Sequence, residues 1–307
     1  MRWQTEVEIT PLQNRILYTD KILFLGSCFA NEIGSIMRSL RFDILINPFG
    51  VLFNPGSVAA AIERVESMHF FTEEDVIQAG DLYKSFYHGS SFAARSCEEF
   101  LADNNALLAE ASAHYKDSEW VVVTLGTSWV YRDKRRGVIV SNCHKLPDSQ
   151  FERFSMEPEE IADMLSPMIE RSPHKRWIFT VSPVRHLKDG ANGNQLSKAR
   201  LLLAVDILRE RFKNLFYFPA YEIFMDQLRD YRFYASDMVH PSSDSIAFIW
   251  ETFMRYAVDN SCGERIKMVS SLNSLKSHRP IFPDSNEYKN LLKKIALLEQ
   301  KIAELKL

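Results

Sequence analysis

Two places in this chain hold residue types that can do nucleophilic chemistry together. The first is Ser27, between Gly26 and Cys28, which follows the apolar run Ile22-Leu23-Phe24-Leu25 and precedes a helical spacing with Ala30, Ile33, Met37 and Leu40 on one face. That pattern predicts a strand, a tight turn and a helix. A serine in such a turn sits where ligands bind in open α/β sheets and where unpaired N–H groups can hold an anion. The second place is Asp237-Met238-Val239-His240, in a loop before a helix that turns Ile246, Ile249, Phe253 and Ala257 to the core, with Ser242 as its N-cap. The D-x-x-H spacing lets the carboxylate turn back to Nδ1–H of the same histidine, which fixes the tautomer and leaves Nε2 for a nucleophile. Ser27, Asp237 and His240 can therefore form a triad from opposite ends of a domain.

Each part also has a plainer reading. Gly26-Ser27 alone suits a helix N-cap, and D-x-x-H alone suits a capped surface loop. Cys28 is a rival nucleophile, because a thiol at a helix N-terminus can ionise more readily. Its side chain is expected about 100° around the helix from that of Ser27, so it reads as a buried thiol packed behind the serine.

The intervening elements must position these residues. The run Phe42 to Ile46 is β-like and breaks at Asn47-Pro48, and Gly50 lies in a loop that Asn54-Pro55-Gly56 closes. Helices are predicted from Ser57 to Met68, Glu98 to Tyr115, Glu157 to Ile169 and Gln195 to Phe212, and strands over Trp120–Leu125, Trp177–Val181 and Leu215–Phe218. Residues 71 to 97 read as an aromatic-rich hairpin or insertion. The strands alternate with helices over residues 21 to 257, and the central ones are apolar throughout, which predicts a parallel sheet covered on both faces. Ser270 to Pro283 reads as part of a linker over 261–283. Residues 284–307 place Leu291, Ile295, Leu298, Ile302 and Leu305 at alternating steps of four and three. This heptad helix suits either self-association into a homo-oligomer or packing back on its own domain.

Composition excludes several classes. At 46% hydrophobic and 25% charged, 307 residues can bury a core without disulfides or metal. A net charge of -3 with interspersed signs carries no footprint for nucleic acid. The four cysteines, Cys28, Cys97, Cys143 and Cys262, form no C-x-x-C pair and read as free thiols. No membrane span or signal peptide is predicted, so the expectation is a cytoplasmic protein. No G-x-S-x-G elbow, H-E-x-x-H, P-loop or dinucleotide fingerprint occurs, and no cofactor or metal is implied.

Gly-Ser-Cys-Phe-Ala at 26–30, Asn-Pro-Phe-Gly at 47–50, Leu-Gly-Thr-Ser-Trp at 125–129, Asn-Cys-His-Lys at 142–145, Ser-Pro-Val-Arg-His at 182–186 and Asp-Met-Val-His-Pro at 237–241 resemble, in order, the blocks of the GSCFA domain family. The resemblance covers roughly residues 20 to 257. It implies the SGNH/GDSL-like hydrolase fold, a three-layer α/β/α sandwich with a mostly parallel, flavodoxin-like sheet, with 1–260 as the hydrolase domain. It also implies a serine esterase: Ser27 as nucleophile, Asp237 and His240 completing the triad, and the N–H groups of Ser27 and Gly50 in the oxyanion hole. The third block of the wider superfamily carries an oxyanion asparagine, which Gly126-Thr127-Ser128-Trp129 lacks. Ser128, or Asn142 from the next cluster, is expected to donate instead. Arg185, His186 and His144 are candidates for substrate binding, with Arg185 suited to a carboxylate or phosphate. The expected substrate is a small-molecule, carbohydrate or lipid acyl ester. An acyltransferase on the same site, or a ligand-binding module without turnover, are the alternatives.

Overall fold

The computed structural model describes residues 5–305, so positions 1–4 of the lead-in and 306–307 of the expected tail helix lie outside the described residues. Five parallel strands form the central sheet: β1 (Lys21–Gly26), β2 (Asp43–Ile46), β5 (Trp120–Leu125), β9 (Arg176–Val181) and β10 (Leu215–Tyr217). Their spatial order is β2-β1-β5-β9-β10, the flavodoxin-like order in which the chain reverses direction across the sheet between β1 and β5. The carboxyl ends of those two strands flank the crevice where such sheets bind ligands.

Strand alternation divides the core into two layers. Ile22 and Phe24 of β1 and Trp120 and Val122 of β5 point to one side, where they meet helix α1 (Cys28–Ser39) and helix α7 (Ser243–Ala257). Leu23, Leu25, Val121 and Val123 point to the other, against α2 (Pro55–Ser67), α3 (Cys97–Asp117), α4 (Pro158–Glu170) and α5 (Gly190–Arg211). Every residue of β5 is buried, as an all-apolar run with two covered faces requires. The predicted inward residues of α1, namely Ala30, Ile33, Met37 and Leu40, are all buried.

Beside this sheet stand a hairpin, β3 (Val76–Ala79) with β4 (Leu82–Ser85), and a three-stranded antiparallel sheet of β6 (Trp129–Asp133), β7 (Ile139–Val140) and β8 (Phe151–Ser155) in the order β7-β6-β8. Ile77, Phe86, Val140 and Phe151 give this unit its own small core. The chain between β10 and α7 holds a single turn, α6 (Ala220–Glu222), that runs into a π-helical turn.

The expected linker is largely ordered helix. α8 (Gly263–Ser277) buries Val269 and Leu272 in the first core layer, and Asn273 donates to the Ser39 carbonyl at 2.8 Å. The last helix, α9 (Asn286–Glu304), buries Ile302 at 1% exposure and packs Ile295 and Leu298 against the same layer, with Lys276 and Glu299 paired at 2.5 Å. Three of the five heptad residues, Ile295, Leu298 and Ile302, therefore pack within the chain. Among the described residues no helix is long and apolar enough to cross a membrane.

The end of β1 leaves no room for a side chain at Gly26. Gly26 has φ +129°, and a Cβ there would stand 2.1 Å from the Thr124 carbonyl oxygen of the neighbouring strand. Gly26→Ala is expected to destabilise the fold by about 3 kcal/mol or more, since both the backbone and the strand spacing must yield. A urea titration of the purified variant measures it; a loss under ~1 kcal/mol would refute the steric account.

Candidate functional site

The turn after β1 is held by backbone and amide groups. Asn47 accepts the Gly26 N–H through Oδ1 at 2.8 Å and donates through Nδ2 to Asn31 Oδ1 at 2.6 Å. Ser27 N–H donates to the Thr124 carbonyl at 3.0 Å. Ser27 occupies the N-cap position of α1, yet its hydroxyl caps nothing, unlike Asn54, Ser96, Ser242 and Ser285, which accept N–H bonds at their own helices. The residue is 1% exposed and its Oγ has no hydrogen-bond partner among the described residues.

Asp237 and His240 meet as their spacing predicts. Oδ2 of Asp237 accepts from His240 Nδ1 at 2.7 Å, while Oδ1 accepts the N–H groups of Val239 and His240 at 2.9 and 3.0 Å. The His240 N–H, then the imidazole, then the Val239 N–H pull the carboxyl pKa down to about 2. A carboxylate held this way stays charged and fixes the imidazole tautomer. Both side chains are about half exposed. The loop is anchored by Arg185 N–H donating to the Val239 carbonyl at 3.2 Å and by the bridge between Tyr234 and Pro241.

His240 borders a cavity of about 440 Å³ together with Cys28, Phe29, Val184 and Ile246. Cys28 is half-buried, and it, not Ser27, shares this wall with the histidine. Burial pushes the Cys28 thiol up and the Glu32 carboxylate adds to that, while the backbone N–H groups at the start of α1 and the Lys198 charge oppose it.

His186 joins this end of the sheet. Its N–H donates to Asn194 Oδ1 at 2.9 Å, its ring meets Phe53 edge-on at 5.8 Å, and its Nε2 lies 3.5 Å from where a Cβ on Gly126 would stand. Burial first, then the charges of Lys198 and His240, bring its pKa down to about 4, so the ring is neutral near pH 7. Arg185 lies beyond the loop, its guanidinium 4.1 Å over the Tyr234 ring, and lines a separate cavity of about 240 Å³ with Arg229 and Tyr231.

The other expected site residues are placed differently. Gly50 N–H is spent on the Asn47 carbonyl at 2.8 Å, and its Cα side packs against Gly89 and Phe92. Ser128 is fully buried in a hydroxyl cluster, its N–H on Ser197 Oγ at 2.8 Å and its own hydroxyl on Ser155 at 2.8 Å. Even the Ser27 N–H is engaged, so the donors expected from Ser27, Gly50 and Ser128 are taken up by neighbouring carbonyl and hydroxyl groups. Asn142 accepts the His144 N–H at 2.7 Å in the loop after β7, and His144 Nε2 contacts the Ser85 carbonyl at 2.8 Å. Both lie in the loop of the accessory unit, and His144 braces the hairpin there through Ser85.

One residue carries no signal in the sequence. Lys198 on α5 is 1% exposed, and its Nζ donates to the carbonyls of Gly126 and Ser182 at 2.6 and 2.7 Å, tying the ends of β5 and β9 together. A lysine in an amphipathic helix ordinarily reads as solvent-facing.

With this geometry in place, a comparison with known protein families matches residues 21–253 to the GSCFA family. The chain belongs to the GSCFA family. No curated protein matches it. The matched span of this GSCFA chain runs from the start of β1 into α7, so it contains the β1–α1 turn, Lys198 and the Asp237–His240 loop, and it leaves out α8 and α9.

The histidines of the GSCFA domain predict acid sensitivity. His88, sealed among Phe49, Phe71, Phe92 and Phe100 at 1% exposure, is lowered by burial to about 3, and His186 to about 4. Between the unfolded value of 6.5 and these folded values the unfolded chain binds more protons. Stability is therefore full above that window and falls as pH drops through it, by about 1.4 kcal/mol per pH unit for each histidine. Urea unfolding at a series of pH values from 7 to 4.5 should show this slope, and His88→Phe should remove about half of it. An unchanged slope in that variant would contradict the assignment.

Proposed function

We propose that this GSCFA protein hydrolyses acyl esters, with His240 as general base and acid, oriented by Asp237, and with the nucleophile in the β1–α1 turn where Ser27 and Cys28 are adjacent. The observation that carries the reading is the 2.7 Å bond from His240 Nδ1 to a carboxylate whose other oxygen is held by two N–H groups, at the rim of a cavity shared with the first turn of α1. Such a pair does one thing well: it takes a proton on Nε2 and gives it back. The location, beside the sheet's reversal between β1 and β5, is where this strand order binds substrates. A bound hydroxyl in place of water makes the same site an acyltransferase.

The occupied N–H groups of Ser27, Gly50 and Ser128 favour a second reading, a module that binds an acylated ligand with weak turnover or none. Losing an oxyanion donor costs about a hundred- to a thousandfold in turnover. Incubating purified protein with p-nitrophenyl acetate, butyrate and octanoate separates the two. Release of p-nitrophenol above the rate of a heat-denatured control supports the hydrolase, and binding of the ester without release supports the module.

A further inference from the structure

Resting on that acyl-transfer reading, we propose that the nucleophile is the Cys28 thiol and not the Ser27 hydroxyl, and that the cavity it shares with His240 receives an uncharged aliphatic acyl chain. Three observations converge on the sulfur. Cys28 and His240 line the same cavity of about 440 Å³, whereas Ser27 contributes nothing to its wall. The Ser27 side chain is sealed at 1% exposure, with its Oγ reaching neither solvent nor a hydrogen-bond partner among the described residues. A hydroxyl so enclosed meets no carbonyl carbon and passes no proton to His240. Cys28 is also the first residue of α1, where the helix terminus favours negative charge.

The cavity wall sets the acyl group. Phe29, Ile36, Val184 and Ile246 present apolar surface, and its size lies in the range of small-molecule sites. Glu32, exposed on the next turn of α1, stands in the same wall, so an acyl chain ending in a carboxylate meets a like charge there. Neutral aliphatic chains are taken and dicarboxylic half-esters are turned away.

The steps balance as follows. The Cys28 thiol gives its proton to His240 Nε2 as the sulfur bonds to the ester carbonyl carbon and the carbonyl π electrons move onto oxygen. Collapse of that adduct breaks the ester C–O bond, and the leaving alkoxide takes the proton from Nε2–H, which leaves a thioester on Cys28 and a free alcohol. Water then gives a proton to Nε2 and its oxygen bonds to the thioester carbon. The C–S bond breaks, the sulfur recovers the proton, and a carboxylic acid is released. Burial raises the thiol pKa, so proton removal by His240 accompanies attack rather than preceding it.

Alkylation and turnover test this together, with thermal unfolding confirming that each variant is folded. Iodoacetamide should modify Cys28, and His240→Ala should slow that modification at least tenfold while leaving Cys97, Cys143 and Cys262 unchanged. On p-nitrophenyl butyrate, Cys28→Ala should lose more than a thousandfold in kcat/KM and Ser27→Ala less than tenfold. Octanoyl and butyryl esters should exceed acetyl, and a succinyl monoester should fall at least tenfold below butyryl and recover in Glu32→Gln. Equal alkylation rates in wild type and His240→Ala overturn the proposal, as does loss of turnover in Ser27→Ala with retention in Cys28→Ala. The latter result leaves the acyl-transfer reading standing with serine as nucleophile. No turnover of any ester by the wild-type protein sinks the reading and the thioester together. A preference for acetyl or succinyl esters overturns the assignment of the acyl pocket.

Discussion

His240→Ala is expected to cost about 10³- to 10⁴-fold in kcat/KM on an aliphatic ester, with the loss in kcat and KM little changed. The imidazole is the one group at the cavity whose tautomer is fixed by a carboxylate. Asp237→Asn should show a comparable loss, because an amide retains the shape of the carboxylate but no longer demands a proton on Nδ1. Neither change should cost much stability. Both side chains are about half exposed, and substitutions at such positions usually stay within about 0.5 kcal/mol. Asp237 does accept two loop N–H groups, so some loosening of the loop is expected in Asp237→Asn but not in His240→Ala. A kinetic series with a parallel unfolding curve decides the matter. Turnover of His240→Ala within about threefold of wild type would rule out the acid–base role.

The second large effect is on stability and runs in the alkaline direction. Burial lowers the Lys198 pKa from 10.5 to about 7, with the neighbouring Cys28 opposing the shift. The unfolded chain therefore binds the extra proton between pH 7 and 10.5. Stability rises with pH across that window and is lowest below pH 7, where the buried ammonium is fully charged. Wild type should gain about 1.4 kcal/mol per pH unit relative to Lys198→Met between pH 7 and 9.5, about 3 kcal/mol in all. A neutral amine still has two N–H groups, one for Gly126 and one for Ser182, so the tie survives deprotonation. Taking the difference between two variants cancels the other titrating groups. Parallel stability curves would show that Lys198 keeps an ordinary proton affinity. Lys175 makes similar bonds, to the carbonyls of Tyr115 and Ser118 at 2.5 and 2.7 Å, but at the far end of the sheet, where it closes the end of α3.

Much of the scaffold was legible because its signals are local. The strand β5 and the inward face of α1 follow from runs and periods within a dozen residues, and burial on two faces leaves no alternation to misread. The Asp237–His240 bond was legible for the same reason, since a turn of four residues carries its own geometry. The strands β6 and β8 were missed: their residues alternate only weakly, and what makes them strands is pairing with each other across the Gly137 and Ser141–Gln150 connections. The helix α8 was hidden in a stretch that serine, asparagine and histidine make look like a linker. Its order comes from burying Val269 and Leu272 in the first core layer.

The amino-acid order by itself determined that a strand ends on a glycine, that Ser27 and Cys28 follow it, and that a carboxylate and a histidine share one loop far along the chain. It could not determine which of the two neighbours faces the histidine. That depends on where α7 and the loop before it settle against α1, a matter of packing between elements separated by most of the domain. The oxyanion donors were undecidable for a related reason: an N–H group at Gly50 or Ser128 is available only if no turn or neighbouring hydroxyl claims it, and here Asn47 and Ser197 do. Lys198 shows the same limit most plainly. Its helix has one lysine among many polar residues, and only the closing of the sheet over it puts an amine under the site and leaves it with two carbonyl oxygens as partners.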